Sequence, residues 1–380
     1  MDSIVRERNI LDARIGVVNV RNLRRVDIVF VALSLALAGA GLLVLYSASV
    51  GSSSEAPYYL KQFVWFCIGL VVAAAIVCID YRFLVAMAPA FYVLSVGSLL
   101  LVMLFGAEAK GAERWLPIGP FKFQPSEMSK LALVFMLTWY LSAFQDRIRK
   151  LPMFLLAFVI AGIPLALILK QPSLSTAMVL IPIVFVMLFV AGCRWWHMVA
   201  IVLLGFCVIP FGWMHMEDYQ KSRVTTFLDP TSDPKGKGWQ PIQTKITVGS
   251  GGLTGKGFLQ GTQTHLKFLP EHHTDFIFSL LAEEMGFAGA AGVLALFLLF
   301  LLRGLMLARD CPEMSGALLS IGALTILGFH AFINIAITIG LMPVTGLPLP
   351  FLSYGGSFYL TTMMCVGVLL SVQVRGKYLG

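Results

Sequence analysis

The sequence predicts an all-α, polytopic integral membrane protein, and three observations support that fold class. Hydrophobic residues make up 58% of the chain and charged residues only 13%, whereas a soluble domain carries about a quarter charged residues. Apolar runs of membrane-spanning length recur along the whole chain. Basic residues collect in alternate connections between those runs, a pattern typical of membrane topology.

About ten transmembrane helices are expected, because a helix needs roughly 20 apolar residues to cross about 30 Å of hydrocarbon. The first run follows a 26-residue arm and is too long for the apolar core of a signal peptide. An even number of spans puts both termini on one side of the membrane. The predicted spans are 27–46, 62–79, 84–105, 127–144, 152–169, 174–192, 198–214, 276–302, 314–337 and 349–373.

Charge predicts the orientation of these spans. The arm at 1–26 holds six arginines, and further Lys and Arg residues follow in every second connection and in the tail. Since short cytoplasmic loops collect Lys and Arg, both termini are expected in the cytoplasm. The connections 47–61, 106–126, 170–173, 215–275 and 338–348 are then outside. The net charge of +8 follows from topology and does not indicate nucleic-acid binding.

The chain is expected to form one membrane domain over 1–380, with a large outer loop at 215–275 between helices seven and eight. Disorder is one interpretation of this loop, but aromatic and branched apolar residues recur in it, which favours a segment folded onto the membrane surface. Its stretch "GSGGLTGKG" at 249–257 departs from the Walker pattern. Backbone that closely approaches a ligand or the bilayer, or a plain glycine-rich turn, remain the alternatives.

Acidic residues enter the eighth span. With Thr274 as N-cap, Asp275 falls in the first helical turn, where a carboxylate stabilises the helix dipole. Glu283 lies two turns deeper, on the face of Asp275 and Ser279 by helical spacing. A charge at a helix centre costs about 3 kcal/mol, so such residues normally face a partner or a water-filled cavity. A polar cavity that opens outward is therefore predicted.

Two more outer segments carry polar or broken features. Glu127 and Lys130 open the fourth span three residues apart, which permits either a simple salt bridge or a place in the cavity, and Arg114 precedes them in the loop. The segment 334–357 contains three prolines and four glycines, so it cannot continue as one helix. Broken backbone at membrane depth is tolerated where it lines a cavity.

Carboxylates together with Lys130, Arg114 and Lys245 suit an anionic, partly apolar substrate, such as a lipid that carries a pyrophosphate and a sugar. Cations would stabilise the pyrophosphate as it leaves. Asp275 would take the proton from an attacking hydroxyl or hold a divalent cation, Mg²⁺ or Mn²⁺. A flippase or another transporter of lipid-linked substrates is the alternative, since interrupted helices and buried charges are also found there. A noncatalytic scaffold would not require charges inside spans.

Four stretches, "QPSEMSK", "FLDPTSDPKGKGWQPIQTKI", "GTQTHLKFLPEHHTDFIFSLLAEEMG" and "NIAITIGLMPVTGLPLPFLSYGGS", resemble the SEDS family of bacterial cell-wall polymerases. The resemblance covers nearly the whole chain and is nearer to the elongation member than to the division member. It implies a peptidoglycan glycosyltransferase that joins lipid II outside the inner membrane. The implied partners are a class B penicillin-binding protein and other membrane proteins of the elongation complex.

The resemblance places the family's essential aspartate at Asp275 and its acidic and basic pair at Glu127 and Lys130. The substrate-binding residues expected overall are Arg114, Glu127, Lys130, Lys245, Gln263, Glu271, Glu283 and Ser353. One departure concerns the motif Gln-Pro-Asp-Leu-Gly-Thr, because this chain has Ser173 in place of the acid and Ser175 in place of the glycine. A role that the family assigns to that acid does not transfer to this chain.

Overall fold

The computed structural model describes residues 25–49, 57–105, 107–109, 112–118, 121–171, 173–215, 218–262 and 273–376. Within them, seven helices are long and apolar enough to cross a membrane, and two further apolar helices are shorter. The predicted polytopic, helical fold class is confirmed, and the protein is a multi-pass membrane protein.

The thirteen α-helices of the described residues are numbered in chain order. They are α1 (Ile28–Ser49), α2 (Tyr58–Cys78), α3 (Tyr81–Ala86), α4 (Ala88–Phe105), α5 (Pro125–Ala143), α6 (Leu151–Lys170), α7 (Leu174–Val190), α8 (Trp195–His215), α9 (Asp218–Leu228), α10 (Trp239–Ser250), α11 (Ile277–Arg309), α12 (Met314–Thr338) and α13 (Gly356–Gly376). Two short 3₁₀ turns lie at Gln145–Arg147 and Pro230–Ser232.

Eleven of these helices correspond to the ten predicted spans, with two corrections. The third predicted span is divided into α3 and α4 at Met87. The last span begins at Gly356 and not at 349, because residues 349–355 form turns that the prolines of this segment impose. Among the seven long apolar helices, α13 is the most enclosed, with 89% of its apolar window buried. It therefore packs at the centre of the bundle.

Residues 107–123 add a small sheet to the helical fold. Strands β1 (Ala107–Ala109), β2 (Ala112–Ile118) and β3 (Phe121–Phe123) are antiparallel, and β2 lies in the middle. The first half of β2 pairs with β1, with Glu113 opposite Glu108, and the second half pairs with β3. The sheet leads directly into α5, so it fixes the position at which that helix begins.

Both ends of the described chain lie at the same end of the bundle, as predicted. The Asp27 backbone N–H donates to Gln373 Oε1 at 3.1 Å, and Gln373 Nε2 donates to the Arg25 carbonyl at 2.7 Å. Arg303, near the end of α11, forms a salt bridge with Asp27. We call this the terminus end of the bundle and the opposite one the loop end. Arg82 and Glu313 form another salt bridge at the terminus end.

Helix α11 is broken at Gly286, whose φ of 64° and ψ of −165° are not helical. A break leaves backbone N–H and C=O groups without intrahelical partners. The glycine-rich stretch 249–257 supplies those partners: Lys256 N–H donates to the Glu283 carbonyl at 3.0 Å, and Phe287 N–H donates to the Gly252 carbonyl at 2.9 Å. Close backbone approach is therefore what this stretch provides.

Glycine is required on both sides of this contact. A Cβ at Gly286 would lie 2.2 Å from the Gly255 nitrogen, and a Cβ at Gly255 would lie 2.1 Å from the Glu284 carbonyl oxygen. The described part of the long loop, with α9 and α10, packs on the helical bundle, and its expected place on the membrane surface stays a prediction. It brings the loop end of α11 into contact with α10.

Candidate active site

A polar cavity of about 180 Å³ lies at the loop end of the bundle, and we call it the Asp275 cavity. Segments that are far apart in sequence meet there, and both Asp275 and Glu127 line this cavity. The lining residues are Trp115, Gln124, Glu127, Ser173, Ser175, Thr176, Asp275, Gly346, Leu347, Pro348, Tyr354, Gly355, Ser357 and Phe358.

Four helices begin at this cavity. Gln124 is the N-cap of α5 and Ser173 is the N-cap of α7, while Asp275 precedes α11 by two residues and Gly355 precedes α13 by one. A helix N-terminus carries partial positive charge and unpaired N–H groups, and it is a common site of phosphate binding. The convergence of four such ends makes the cavity suited to an anion.

Asp275 lies in the turn before α11. The N-cap of the helix is Phe276, without a side-chain cap, so the prediction that Thr274 caps the helix and Asp275 lies in its first turn was wrong. Tertiary hydrogen bonds hold this turn instead. Asn334 Nδ2 donates to the Asp275 carbonyl at 2.9 Å, and Ser353 Oγ donates to the Thr274 carbonyl at 2.5 Å. These bonds position the Asp275 side chain at the cavity.

Glu127 and Lys130 form the predicted i, i+3 salt bridge, with 2.6 Å between Lys130 Nζ and Glu127 Oε2. Glu127 also lines the cavity, whereas Lys130 is wholly buried behind it. His330 Nε2 lies 2.8 Å from Lys130 Nζ, and His330 Nδ1 lies 3.2 Å from the Pro348 carbonyl oxygen. A carbonyl only accepts, so Nδ1 carries the proton and Nε2 accepts from the ammonium.

Comparison with known proteins places the whole arrangement in a family. A family model for cell cycle proteins, covering FtsW, RodA and SpoVE, matches residues 27–378. The chain belongs to the FtsW/RodA/SpoVE family. The match extends from the start of α1 to beyond the end of α13, so it includes every segment that lines the Asp275 cavity.

Relatives and solved structures within the FtsW/RodA/SpoVE family agree with this assignment. The chain is 38% identical over 343 residues to the peptidoglycan glycosyltransferase MrdB of Escherichia coli K12, covering 89% of this chain and 92% of that protein. It is similar to a solved peptidoglycan synthase complex, with a TM-score of 0.80, 33% identity, and 93% and 99% coverage. The Thermus thermophilus rod shape determining protein RodA gives a TM-score of 0.70, 31% identity, and 93% and 98% coverage.

Within this family fold, Lys245 lies away from the cavity where it was expected. It lines a separate cleft between α9, α10 and residues 337–344, because α10 places it one turn from the end of that helix and beside Gly340. Lys130 also differs from the expectation, since its ammonium is buried in the pair with Glu127 and does not line the cavity. Neither lysine lines the Asp275 cavity, whereas four helix N-termini direct positive potential into it.

Glu283 also lies away from the Asp275 cavity. It is wholly buried, and its carboxylate accepts a hydrogen bond from Lys256 Nζ at 2.6 Å. Its neighbour Glu284 accepts a hydrogen bond from Ser47 Oγ at 2.5 Å. The prediction that Glu283 shares a face with Asp275 was wrong, because Asp275 is outside the helix and helical spacing does not apply to it. Through its salt bridge with Lys256, Glu283 holds the glycine-rich stretch 249–257 against the break in α11.

The remaining predicted site residues fall into two groups. Ser353 is buried, accepts from Leu349 N–H at 2.8 Å and donates to the Thr274 carbonyl, so it supports the cavity wall. Arg114 is placed only as a backbone position in β2, beside Trp115. Gln263 and Glu271 lie outside the described residues.

His330 and Asn334 are buried polar residues behind the cavity that the sequence reasoning missed. They lie four residues apart in α12 and face the same direction. Both are fully buried, and both hold carbonyl groups of the segment 347–348, because Asn334 Nδ2 also donates to Leu347 at 2.8 Å. Polar residues inside an otherwise apolar span were the available signal.

Among the described residues, no group of three or more His, Cys, Asp or Glu side chains is arranged to hold a metal ion. Two carboxylates, those of Asp275 and Glu127, line the Asp275 cavity. Magnesium is often bound by one or two carboxylates together with substrate phosphates. The donor set therefore fits a cation shared with a phosphorylated substrate, and it does not fit an all-protein metal cage.

Proposed function

We propose that this chain is a peptidoglycan glycosyltransferase that polymerises lipid II into glycan strands during cell elongation. One observation carries the proposal: a carboxylate, Asp275, lies in a cavity at which four helix N-termini converge. The carboxylate suits a sugar hydroxyl that must give up its proton. The helix N-termini suit an anionic leaving group such as a pyrophosphate. The names of the E. coli relative and of the synthase complex support the same activity.

In the reaction, Asp275 accepts the proton of an acceptor sugar hydroxyl as general base. The oxygen then forms a bond to the anomeric carbon of the donor sugar, and the bond from that carbon to the pyrophosphate oxygen breaks. The leaving pyrophosphate gains charge, which the N–H groups and dipoles at the four helix ends stabilise. Glu127, paired with Lys130, keeps the adjacent wall polar.

An apolar cleft of about 340 Å³ within the bundle suits the polyprenyl chain of lipid II. Phe123 and Met128 line this cleft, and their neighbours along the chain, Gln124 and Glu127, line the Asp275 cavity. The cleft continues between α4 and α5, within the spanning part of the bundle. The fold therefore offers a polar cavity for the head group of a lipid-linked sugar and an apolar cleft for its chain.

As the alternative to the general-base role, Asp275 would hold a divalent cation, Mg²⁺ or Mn²⁺, against the pyrophosphate oxygens. When bound, it would neutralise charge on the leaving group. In both alternatives the helix ends bind the pyrophosphate and the turn before α11 orients Asp275.

We place the protein in the bacterial inner membrane, with the Asp275 cavity on the periplasmic side. The basic residues at the terminus end support this orientation by the positive-inside rule. A class B penicillin-binding protein and other elongation-complex membrane proteins are the proposed partners. The similarity to a complex in which polymerization and crosslinking are coordinated supports a transpeptidase partner.

The test uses purified protein in vesicles with labelled lipid II. Asp275→Asn abolishes glycan ladders while expression and thermal unfolding stay as in the wild type. Asp310→Asn, at an exposed position after α11 at the other end of the bundle, is the matched control and keeps the ladders. Ladders from Asp275→Asn would refute the catalytic assignment. Lipid II that crosses the vesicle without polymerising in the wild type would instead support the transporter alternative.

A further inference from the structure

A second cleft lies beside the Asp275 cavity, and its described lining includes three cations. We call it the Lys245 cleft; it measures about 290 Å³ and lies between α9, α10 and residues 337–344. The cations are Arg223, Lys237 and Lys245, and no carboxylate is among the described residues that line it. A cleft lined by charges of one sign concentrates counter-ions. An anionic group is therefore the ligand that it suits.

The fold sets these cations in place. Arg223 and Phe227 lie four residues apart in α9, so both face the cleft, and Lys245 faces it from α10. On the other wall, Gly340 has a φ of +76°, and a Cβ there would lie 2.1 Å from Lys245 Cε. The stem of Lys245 crosses this glycine, which holds the side chain against the wall of the cleft.

The two sites share one segment of chain. Met342–Val344 line the Lys245 cleft, and Gly346–Pro348 line the Asp275 cavity. Thr345 lies between them: Arg223 Nη1 donates to its carbonyl at 3.3 Å from one side, and Ser175 Oγ donates to the same carbonyl from the other. Two residues of extended chain span at most about 7 Å, so ligands in the two sites lie close together.

Polymerisation joins two lipid-linked saccharides, and each carries a pyrophosphate. The first loses its pyrophosphate in the Asp275 cavity, whereas the second keeps its own and needs a separate anionic site. We propose that the Lys245 cleft binds the pyrophosphate of the second saccharide while its sugar hydroxyl faces Asp275. This inference rests on the proposed function. The phosphate of a bulk phospholipid offers similar chemistry, and the experiment separates the two sources.

The binding experiment uses the full chain carrying Asp275→Asn, so that bound saccharides are not consumed, in nanodiscs of phosphatidylcholine. Labelled polyprenyl-pyrophosphate disaccharide is the probe. We expect two molecules bound per chain. Adding Arg223→Gln and Lys245→Gln removes charge-assisted contacts and weakens the second binding event by about tenfold or more.

Lys221→Gln with Lys235→Gln provides the matched control. Lys221 lies in α9, as Arg223 does, and Lys235 lies in the turn before α10; neither is among the residues that line the cleft, and the pair loses the same charge. We expect this control to bind two molecules. Equal binding by the control and by the Arg223→Gln, Lys245→Gln variant would overturn the proposal. Equal weakening in both would be an effect of net charge, and unchanged binding in both would mean that the cleft does not bind the saccharide.

A second arm replaces half of the phosphatidylcholine with phosphatidylglycerol. We expect the second saccharide still to bind, because a pyrophosphate offers more charge than a single phosphodiester. Loss of the second binding event in these nanodiscs would assign the cleft to bulk phospholipid headgroups and overturn the proposal. Two bound molecules in both lipid compositions support the cleft as a saccharide site.

Polymerisation kinetics distinguish a failure of this inference from a failure of the proposed function. Without Asp275→Asn, we expect Arg223→Gln with Lys245→Gln to raise the KM for lipid II by about tenfold with little change in kcat. A wild-type chain that binds two saccharides but makes no glycan contradicts the proposed function and leaves the cleft as a pyrophosphate site. A wild-type chain that polymerises, with KM unchanged in the variant, contradicts the cleft alone.

Discussion

Lys130 Nζ lies 2.6 Å from Glu127 Oε2, in a buried ion pair of α5 whose carboxylate lines the Asp275 cavity. This pair has a structural role and a role at the candidate site. Its charges compensate each other inside the bundle, and the carboxylate also faces the cavity in which a substrate would lie. Stability and activity therefore depend on the same two side chains, and variants are needed to separate them.

The first prediction is that Lys130→Met destabilises the protein by about 3–5 kcal/mol, because it leaves the Glu127 carboxylate buried without its cation. Glu127→Gln combined with Lys130→Met removes both charges, and we expect it to recover most of that loss. Thermal unfolding of the purified protein in detergent measures both changes.

The double variant also tests function. We expect it to fold and to make little glycan, because the cavity has lost an ionised wall. Full activity in a well-folded double variant would show that the pair only supports the bundle. Equal instability of the single and double variants would mean that Glu127 is not the group that Lys130 compensates.

The second prediction concerns the break in α11. Gly286→Ala forces a side chain into a conformation that is nearly exclusive to glycine and into contact with the Gly255 backbone. We expect a loss of about 1–3 kcal/mol, with faster hydrogen exchange in the stretch 249–257. Gly292→Ala is the control: it lies on the same helix, where an added Cβ meets nothing within 4 Å.

The control should leave hydrogen exchange unchanged and raise stability slightly, because alanine is favoured over glycine inside a helix by about 0.5–1 kcal/mol. If Gly286→Ala behaves like Gly292→Ala, the contact between the glycine-rich stretch and α11 does not form as described. Activity measured on the same samples shows whether this contact also supports the reaction.

The third prediction is a pH dependence at the terminus end. Burial alone would raise the pKa of Glu313, but hydrogen bonds from Arg82 and Tyr81 outweigh burial and hold its pKa below the ordinary value. A lowered carboxyl pKa contributes stability above the unfolded-state pKa of about 4.3, and this stability is lost as the pH falls through the folded-state pKa.

Glu313→Gln should therefore lower the free energy of unfolding near pH 7 by about 1 kcal/mol, a modest value because the Arg82 pair is partly exposed to water. Its unfolding temperature should also fall less steeply than that of the wild type between pH 5 and pH 3. Parallel acid slopes for the two proteins would contradict the assignment of this loss to Glu313.

Hydropathy and basic loops predicted the membrane spans well, because burial in lipid requires long apolar runs and leaves little alternative to a helix. Helical spacing within α5 likewise predicted the pair of Glu127 and Lys130. Prediction failed where the chain leaves a helix. Asp275 was assigned to the first turn of α11, whereas hydrogen bonds from Asn334 and Ser353 hold the turn in front of it.

These hydrogen bonds join residues that are tens of positions apart, so no local pattern contains them. The same reason explains Glu283, whose partner Lys256 comes from a loop that pairs with the break at Gly286. It also explains Lys245, since only the packing of α10 on residues 337–344 shows which cleft this side chain lines. The sequence identified polar residues of the types that such a site needs. Tertiary contacts determine which of them lie together.

The last prediction concerns Ser173, which stands where the SEDS pattern has an acid and which lines the Asp275 cavity as the N-cap of α7. Its hydroxyl is 2.9 Å from Thr176 Oγ1, and it makes no capping bond to the backbone. Ser173→Asp places a carboxylate at a helix N-terminus, which favours it by about 0.3–1 kcal/mol. We therefore expect the variant to fold as stably as the wild type.

The added charge should change the pH dependence of activity and not the stability of the protein. A carboxylate in the same cavity as Asp275 and Glu127 disfavours ionisation of its neighbours. The base form of Asp275 would then be lost at a higher pH, so the acid limb of the pH–rate profile for glycan synthesis should move upward. Ser173→Asn, of the same size and without charge, should leave that limb in place. If both variants give the same acid limb, the group that titrates in the reaction is not in the Asp275 cavity, and general-base catalysis by Asp275 is wrong.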